Sequence, residues 1–245
     1  MFLRLVLSAL VLLHAWTVWA HSDRQTRTLS LAPGRTLSLD ITIGEVRIEG
    51  SARTDAVLEI ERRAPTAEAL TRIPVDIQEA ETGVRIVAVQ LEGATDPALR
   101  TDVTLRVPHD AALRSIRIVE GRLALSALHG EVTADLRRGS IAATDLRGAV
   151  RLETGIGHVV ADRMRLSPGG LLRLRAFNGD VRLTLAELPS DGRILALALN
   201  GTITSTIPLR MKDTWGPRWG EATLGKGEPV ISLDVVTGKI EIKAP

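Results

Sequence analysis

Paired carboxylates are the first candidates for chemistry in this sequence. Asp135 and Glu153 are separated by the same interval as Gly121 and Gly139, so they would be neighbours in any structure that repeats at that interval. Two such carboxylates can hydrolyse a glycosidic bond when aromatic side chains hold the sugar rings beside them. The sequence has no tyrosine and few other aromatic residues, and it lacks nucleophile-elbow, P-loop and dinucleotide-binding motifs. We therefore predict that the protein is not an enzyme.

Histidines and acidic residues offer no recognisable metal site. After the N-terminal segment the histidines are His21, His109, His129 and His158, and none of them has the spacing of an H-x-H or H-E-x-x-H motif. Calcium-binding repeats carry aspartates beside their glycines so that several oxygens can surround the ion. The glycine repeats of this chain lack such aspartates. We predict neither a metal nor a cofactor.

Two tryptophans and an arginine, Trp215, Trp219 and Arg218, are clustered near the C-terminus. With Phe177, these tryptophans are the only aromatic residues left if the segment 1–20 is removed. Gly216-Pro217 breaks any helix here, which predicts an irregular loop. The rings could cover an apolar edge of the fold, or they could contact a partner, since tryptophan and arginine are enriched at binding hot spots. We take Trp215, Arg218 and Trp219 as the candidate partner-contact site.

A nine-residue glycine repeat organises the middle of the chain. An aliphatic residue follows each glycine by two positions, another small or apolar residue by four, and most residues between them are polar. This alternation indicates short β-strands with one buried face, and a fixed period of strand and turn is typical of a β-solenoid. The glycines are Gly121, Gly130, Gly139, Gly148 and Gly157. We expect the aliphatic residues of this and later repeats to form one buried ladder: Val132, Ile141, Val150, Val159, Val181, Ile203 and Ile240.

Alternate glycines define the predicted rung. Gly121, Gly139 and Gly157 are evenly spaced, and a longer interval separates Gly157 from Gly179 and Gly179 from Gly201. The added residues include turn-forming clusters at 167–170 and 189–192, each followed by a second apolar strand. A rung therefore has two strands and two corners, and successive rungs should stack in parallel about 4.8 Å apart. We predict an all-β fold, a parallel β-solenoid with two strands per rung.

The segment from Thr26 to Leu113 predicts strands without a strict repeat. Short β-rich runs lie at 57–60, 75–77, 84–91 and 103–107, and one short helix is predicted at 65–70, where proline is tolerated in the first turn. The composition shows no break between this part and the repeats. We predict a single domain at 21–245, in which the less regular β-rich part precedes the solenoid and a loop insertion at 208–229 interrupts it.

The segment 1–20 predicts a secretory signal peptide. Arg4 precedes an apolar run from Leu5 to Leu13, and Val18-Trp19-Ala20 is a small-x-small cleavage site. A transmembrane helix needs about 20 apolar residues, so this run is too short to span a membrane. We predict export to the periplasm or the extracellular space, with no integral membrane span after signal removal.

The charge balance and the absence of cysteine argue against a nucleic-acid partner and against cysteine-based modifications. Of 31 basic residues Arg4 leaves with the signal peptide, and the remaining 30 almost balance 29 acidic residues. The basic residues are scattered through the repeats instead of clustering on one element, which argues against a nucleic-acid partner. The chain has no cysteine, so neither a disulfide nor a lipid-modified cysteine is expected.

Several phrases of the sequence resemble the bacterial putative-adhesin family, a family of exported β-strand-repeat domains of unknown function. The phrases are Val107-Pro108, Glu120-Gly121, Thr154-Gly155-Ile156-Gly157, Asn178-Gly179-Asp180-Val181 and Thr237-Gly238-Lys239-Ile240-Glu241-Ile242. The resemblance extends from about Thr26 to the C-terminus. It implies an exported β-repeat fold and brings no catalytic residues with it.

These observations predict an exported, non-catalytic β-repeat protein that presents a binding or adhesion surface at the cell envelope. Its partner would be an unknown envelope protein or a glycan. The alternative is a binding module for glycan or envelope polymer that uses the flat outer sheet and the tryptophan segment. A carbohydrate-active enzyme ranks third.

Overall fold

A computed structural model describes residues 21–32, 34–91, 95–212 and 216–245. The predicted signal peptide lies outside the described residues. Strands and one short helix, α1 (Ala67–Leu70), make up the fold, and the predicted all-β class is confirmed. The strands are β1 (His21–Leu29), β2 (Thr36–Ser51), β3 (Ala56–Ala64), β4 (Asp76–Ala80), β5 (Gly83–Ala88), β6 (Arg100–Pro108), β7 (Ala112–Ser126), β8 (Val132–Thr144), β9 (Val150–Ile156), β10 (Val159–Met164), β11 (Leu171–Asn178), β12 (Val181–Leu185), β13 (Gly192–Ser205), β14 (Arg210–Lys212), β15 (Arg218–Leu224) and β16 (Val230–Lys243).

Parallel pairing at the interval of the alternate glycines builds the middle of the sheet. Val132 in β8 pairs with Val150 in β9, and Ile141 in β8 pairs with Val159 in β10. The longer turn that follows lengthens this interval, so that Val159 pairs with Val181. The predicted parallel pairing of successive repeats is thus confirmed.

The hydrogen bonds also close six parallel strands into a ring, in the order β8, β10, β12, β16, β11 and β9. The ring closes because β8 and β16 run through their corners without a break and take part in both of its sides. β7 and β13 are continuous in the same way. The predicted division of every rung into two separate strands therefore describes only part of the sheet.

A column of glycines forms the corners. At Gly157 the φ angle is 141°, and a Cβ atom would lie 1.7 Å from the backbone oxygen of Gly139, so neither the conformation nor the space admits a side chain. The alternate glycines of the repeat lie in the turns, where contacts are looser: a Cβ atom at Gly148 would lie 2.9 Å from His129 O. The column contains, in spatial order, Gly44, Gly121, Gly139, Gly157, Gly179, Gly238 and Gly201.

The aliphatic residues that follow the glycines form two buried ladders, so the prediction of one ladder is wrong. Val132 and Val150 stack on one side of the ring. The other side holds Ile141, Val159, Val181, Ile240 and Ile203. These residues are at most 1% exposed, except Ile203, which is half-buried at the end of its ladder. Two ladders arise because successive glycines are alternately corners and turns, which sends successive strands to opposite sides.

The last strand of the chain is not the last strand of the sheet. β16 inserts between β12 and the second half of β13, so that Ile240 pairs with Val181 on one side and with Ile203 on the other. β13 thereby becomes the end of the parallel stack. Its first half, Gly192–Ala198, is covered by antiparallel β15, to which β14 adds.

The opposite end of the stack is covered on both halves. The first half of β2 pairs with β5, to which β4 adds, and the second half pairs with β6, to which β3 and then β1 add. The predicted short helix is present as α1. Thr66 caps its N-terminus, because Thr66 Oγ1 accepts a hydrogen bond from Ala69 N (3.2 Å).

Ion pairs cross the strands of this N-terminal end. Glu61 contacts Arg24 at 2.8 Å and Arg63 at 3.0 Å, and Asp102 contacts Arg63 at 3.2 Å and Arg100 at 2.9 Å. Hydrogen bonds from Arg63 and then from Arg24 lower the pKa of the Glu61 carboxyl to about 2. Glu61 therefore links β1 and β3 through a carboxylate that stays ionised well into the acid range.

Candidate partner-contact site

The structure places two of the three predicted contact residues on a strand. Arg218 and Trp219 open β15, opposite Ala198 and Leu197 of β13, whereas Trp215 lies outside the described residues. The segment was predicted to be an irregular loop because of Gly216-Pro217. Instead, strand β15 begins directly after that proline. Its residues alternate, so that Gly220 and Ala222 face the core and Trp219 faces outward.

A lysine ammonium group packs against the ring of Trp219 on the outer face of the sheet. Lys212 of β14 pairs with Trp219 in register, and its ammonium Nζ lies 3.8 Å from the centroid of the ring, a cation–π geometry. Beneath them Gly220 leaves room for β14, because a Cβ atom there would lie 2.9 Å from Met211 Sδ and 3.1 Å from Leu209 Cδ1. The Trp219 ring is partly exposed, so it is fixed in place without being buried.

An apolar patch extends from Trp219 across the neighbouring strands. Leu197 lies beside Trp219, and the flanking registers place Leu199, Val236 and Phe177 side by side on β13, β16 and β11. Phe177 is 52% exposed and Leu199 is 41% exposed. We call these five residues (Phe177, Leu197, Leu199, Trp219 and Val236) the apolar patch. It is unusual because these positions face away from the core.

Basic residues without acidic partners flank the patch. Arg210, Lys212 and Arg218 are all exposed, and none of them forms an ion pair with another residue in the described part of the chain. Arg193 on the same surface behaves differently, since it contacts Glu221 at 2.7 Å. The flank of the patch is therefore positively charged.

The sequence did contain a signal for the leucines of the patch. Most strands of this chain alternate apolar and polar residues, but β13 runs Ile194-Leu195-Ala196-Leu197-Ala198-Leu199 without interruption. The inward residues Ile194, Ala196 and Ala198 are fully buried. The outward positions of β13 are leucines, whereas the outward positions of most other strands are polar. A strand with one buried and one solvent-facing side would normally have polar residues at these positions.

The two carboxylates considered for hydrolysis are cross-strand neighbours. Asp135 of β8 pairs with Glu153 of β9, and Arg117 and Arg175 occupy the next positions along the same row. The row lies on the outer face of the sheet, and Arg173 approaches Glu153 at 3.8 Å. Paired carboxylates on an open sheet among arginines do not form the cleft that glycoside hydrolysis requires.

The histidines serve the structure where they make contacts. The rings of His109 and His129 stack with centroids 4.9 Å apart, and His109 Nδ1 lies 2.8 Å from Ala127 O. His158 Nδ1 accepts a hydrogen bond from Asp180 N at 3.1 Å. Within residues 21–245, apart from the gaps given above, no group of three or more His, Asp or Glu residues could hold a metal ion, and no helix could span a membrane.

Comparison with known proteins gives weak likenesses. No family model and no curated protein matches the chain. A putative cell adhesion protein from Clostridium sporogenes is 11% identical with a TM-score of 0.49, over 92% of this chain and 100% of that one. A putative adhesin from Bacteroides fragilis is 10% identical with a TM-score of 0.35, over 91% and 97%. A putative lipid binding protein from Parabacteroides distasonis is 8% identical with a TM-score of 0.25, over 91% and 97%.

The adhesin name that the sequence resemblance implied thus recurs among proteins of known structure.

Proposed function

We propose that the protein is an exported, non-catalytic β-repeat protein that binds a partner at the cell envelope through the apolar patch. The patch carries this proposal, because a contiguous apolar surface with a polar rim on a soluble protein marks an interaction site. Elsewhere on the same outer face, the row from Arg117 through Asp135 and Glu153 to Arg175 is charged. Export rests on the signal sequence, which the described residues do not include.

The fold supports a presenting role. We interpret the stack of parallel repeats as a β-solenoid in a single domain at 21–245, because parallel pairing at the repeat interval and the glycine column continue through its middle. A stack of this kind has a rigid outer sheet, so residues on it keep fixed spacings. Such a surface loses little conformational entropy when it binds.

Arg218 and Trp219 are the proposed anchors of the contact, and Trp215 stays a predicted member of it. Trp219 is already ordered by Lys212 and Leu197, so little side-chain freedom is lost on binding. Arg218 precedes it on β15, is exposed, and has no acidic neighbour in ion-pair contact among the described residues. An apolar anchor next to an unpaired guanidinium is the composition of a binding hot spot.

A glycan remains the alternative partner because Trp219 is a partly exposed aromatic residue. Sugar rings stack on free aromatic faces, and Lys212 already lies over one face of this ring. Stacking would therefore require the other face or displacement of the lysine. The geometry favours a protein partner over a sugar.

Binding to the native envelope tests the proposal. Solubilised envelope from the source cell is passed over immobilised mature protein, the double variant Leu199→Asp/Trp219→Ala, and the control Arg151→Ala, which changes an exposed outward residue of β9 away from the patch. A partner should be retained by the wild type and the control, and its affinity for the double variant should fall by about tenfold or more, as expected for hot-spot residues.

Two outcomes would contradict the proposal. Equal retention by all three proteins would remove the patch as the contact surface. A sharp fall in the melting temperature of the double variant would show that these residues cover the fold. Competition by soluble envelope glycan, without competition by envelope protein, would select the glycan alternative.

A further inference from the structure

Within the part of the chain that the structure describes, one edge of the sheet is open along the second half of β13. β15 begins with Arg218 opposite Ala198, and from Leu199 to Ser205 the side of β13 that faces away from β16 has no partner strand among the described residues. Thr206 N donates a hydrogen bond to Ile242 O at 3.0 Å. Because backbone groups alternate in direction along a parallel strand, those of Ile203 and Ser205 point to the open side.

This edge lacks the features that protect sheet edges in soluble proteins. Charges, prolines and bulges normally blunt an edge, because its unpaired N–H and C=O groups pair readily with another strand. Residues 200–206 read Asn-Gly-Thr-Ile-Thr-Ser-Thr, with neither charge nor proline, and the β-branched residues among them favour extended structure. The unpaired sides of β1, β4 and β14 belong to strands that carry charges: Asp23, Arg24, Arg27, Asp76, Glu79, Arg210 and Lys212.

We propose that Leu199–Ser205 binds an extended polypeptide segment of the partner by β-strand addition. The segment would run beside β13 beyond Ala198, where β15 begins with Arg218, and would lie against Leu199 of the apolar patch. An apolar residue of the segment beside half-buried Ile203 would prolong the buried ladder that ends there. This inference rests on the proposed binding function and names the kind of partner.

Charge around the edge selects the chemistry of the segment. Lys239 is next to Thr202 in register, and Lys212 and Arg218 lie at the other end of the edge. None of these three side chains forms an ion pair with another described residue. The occupant should therefore be an acidic segment with alternating β-branched or aliphatic residues. A second copy of this chain fits less well, because it would bring the same cations to the shared seam.

A synthetic strand tests the inference directly. The probe is a blocked peptide of alternating valine and threonine with an aspartate at each end, titrated into the mature protein. Binding should be saturable, and hydrogen exchange at the amides of Ile203 and Ser205 should slow by about tenfold or more at saturation. N-methylation of alternate peptide amides should abolish binding, since strand addition depends on main-chain hydrogen bonds.

Matched variants separate the edge from the general surface. Ile203→Lys places a charge on the inner side of the edge, as protected edges do, and should weaken peptide binding by about tenfold or more. Arg151→Ala should leave it unchanged. A peptide with terminal lysines in place of the aspartates should bind more weakly than the acidic one.

Three results would overturn the inference: an N-methylated peptide that binds equally well, exchange at Ile203 and Ser205 that does not respond, or a concentration-dependent dimer that excludes the peptide. The proposed function has a separate readout. If the peptide fails while the envelope partner is still lost from Leu199→Asp/Trp219→Ala, strand addition is wrong and the apolar patch remains the contact surface.

Discussion

The two ends of the parallel stack are finished in different ways. At the N-terminal end, antiparallel strands cover both halves of the stack, and ion pairs such as Arg24–Glu61 and Arg63–Asp102 link them. At the C-terminal end β15 covers only the first half of β13. The segment Leu199–Ser205 carries no charge, and among the described residues no strand pairs with its side that faces away from β16. A stack of strands has to end somewhere, and exposed backbone at its end invites pairing with another chain. We therefore expect the covered N-terminal end only to close the stack, and we expect a partner to bind at the C-terminal end.

The apolar patch follows the same division. Outward positions in the middle of the sheet carry charged residues such as Asp135 and Glu153, whereas the outward positions of β13 carry leucines. Patch and open edge meet at Leu199. Two independent departures from the pattern of a soluble β-sheet thus fall on one strand, which is also the strand that β16 displaced to the end of the stack.

The largest expected effect is a difference in stability when one buried or half-buried aliphatic residue at each end is replaced by aspartate. Leu58 of β3 is fully buried, so Leu58→Asp should reduce the free energy of unfolding by about 4 kcal/mol or more, because it buries an unpaired carboxylate. Ile203→Asp changes a half-buried residue at the open edge and should cost about 1 kcal/mol. Denaturant unfolding of both variants measures the difference.

Val181→Asp is the control for this comparison. Val181 belongs to the same ladder as Ile203 but is fully buried, so its cost should approach that of Leu58→Asp. If Ile203→Asp is as destabilising as Val181→Asp, the edge is covered in solution and the two ends do not differ.

Much of the stack was predictable from the sequence, because its corners depend on local constraints. The corner positions have no room for a Cβ atom, so each must be glycine. The even spacing of Gly121, Gly139 and Gly157 therefore reveals the corners in the sequence itself. The assignment of residues to sides was not predictable from period alone. Gly148 and Gly157 look alike in the sequence, yet one lies in a turn and the other in a corner, which is why one predicted ladder became two.

Strand order and the position of the apolar patch depend on long-range pairing, which the repeats alone do not reveal. The phrase around Gly238 repeats the phrase around Gly201, so either strand could follow β12, and long-range packing decided for β16. The prediction at Arg218 and Trp219 identified a contact candidate from residue type, but Leu197 and Phe177 were missed. Leu197 lies beside Trp219 because β15 pairs with β13, and Phe177 joins the same apolar patch because β16 lies between β11 and β13.

Acid should weaken the N-terminal end through Glu61. The pKa of Glu61 is lowered to about 2 in the folded protein, so its contribution to stability is fully present above about pH 4.5, near the ordinary pKa of a glutamate, and is lost as the pH falls toward 2. Glu61→Gln should therefore reduce the free energy of unfolding by about 1 kcal/mol at pH 7, since partly exposed ion pairs contribute little. The difference from wild type should disappear toward pH 2.

Unfolding curves of both proteins at several pH values measure this effect. Arg24→Ala removes one of the two guanidinium groups that contact Glu61, and it should show a smaller difference over the same pH range. A difference that does not change with pH would mean that Glu61 acts through packing and that charge does not hold the covered end together.

The smallest expected effect is a difference in stability between removing an arginine of the N-terminal ion pairs and removing an arginine from the middle of the sheet. Arg63 joins Glu61 to Asp102 across neighbouring strands, so Arg63→Ala should cost about 1 kcal/mol as part of a network. Arg151 is exposed on β9 and forms no ion pair with other described residues, so Arg151→Ala should change the free energy of unfolding by about 0.5 kcal/mol or less. Both values come from thermal or denaturant unfolding at neutral pH. Equal losses at the two sites would mean that outward arginines support the sheet everywhere, and the ion pairs at the N-terminal end would then have no special role in closing it.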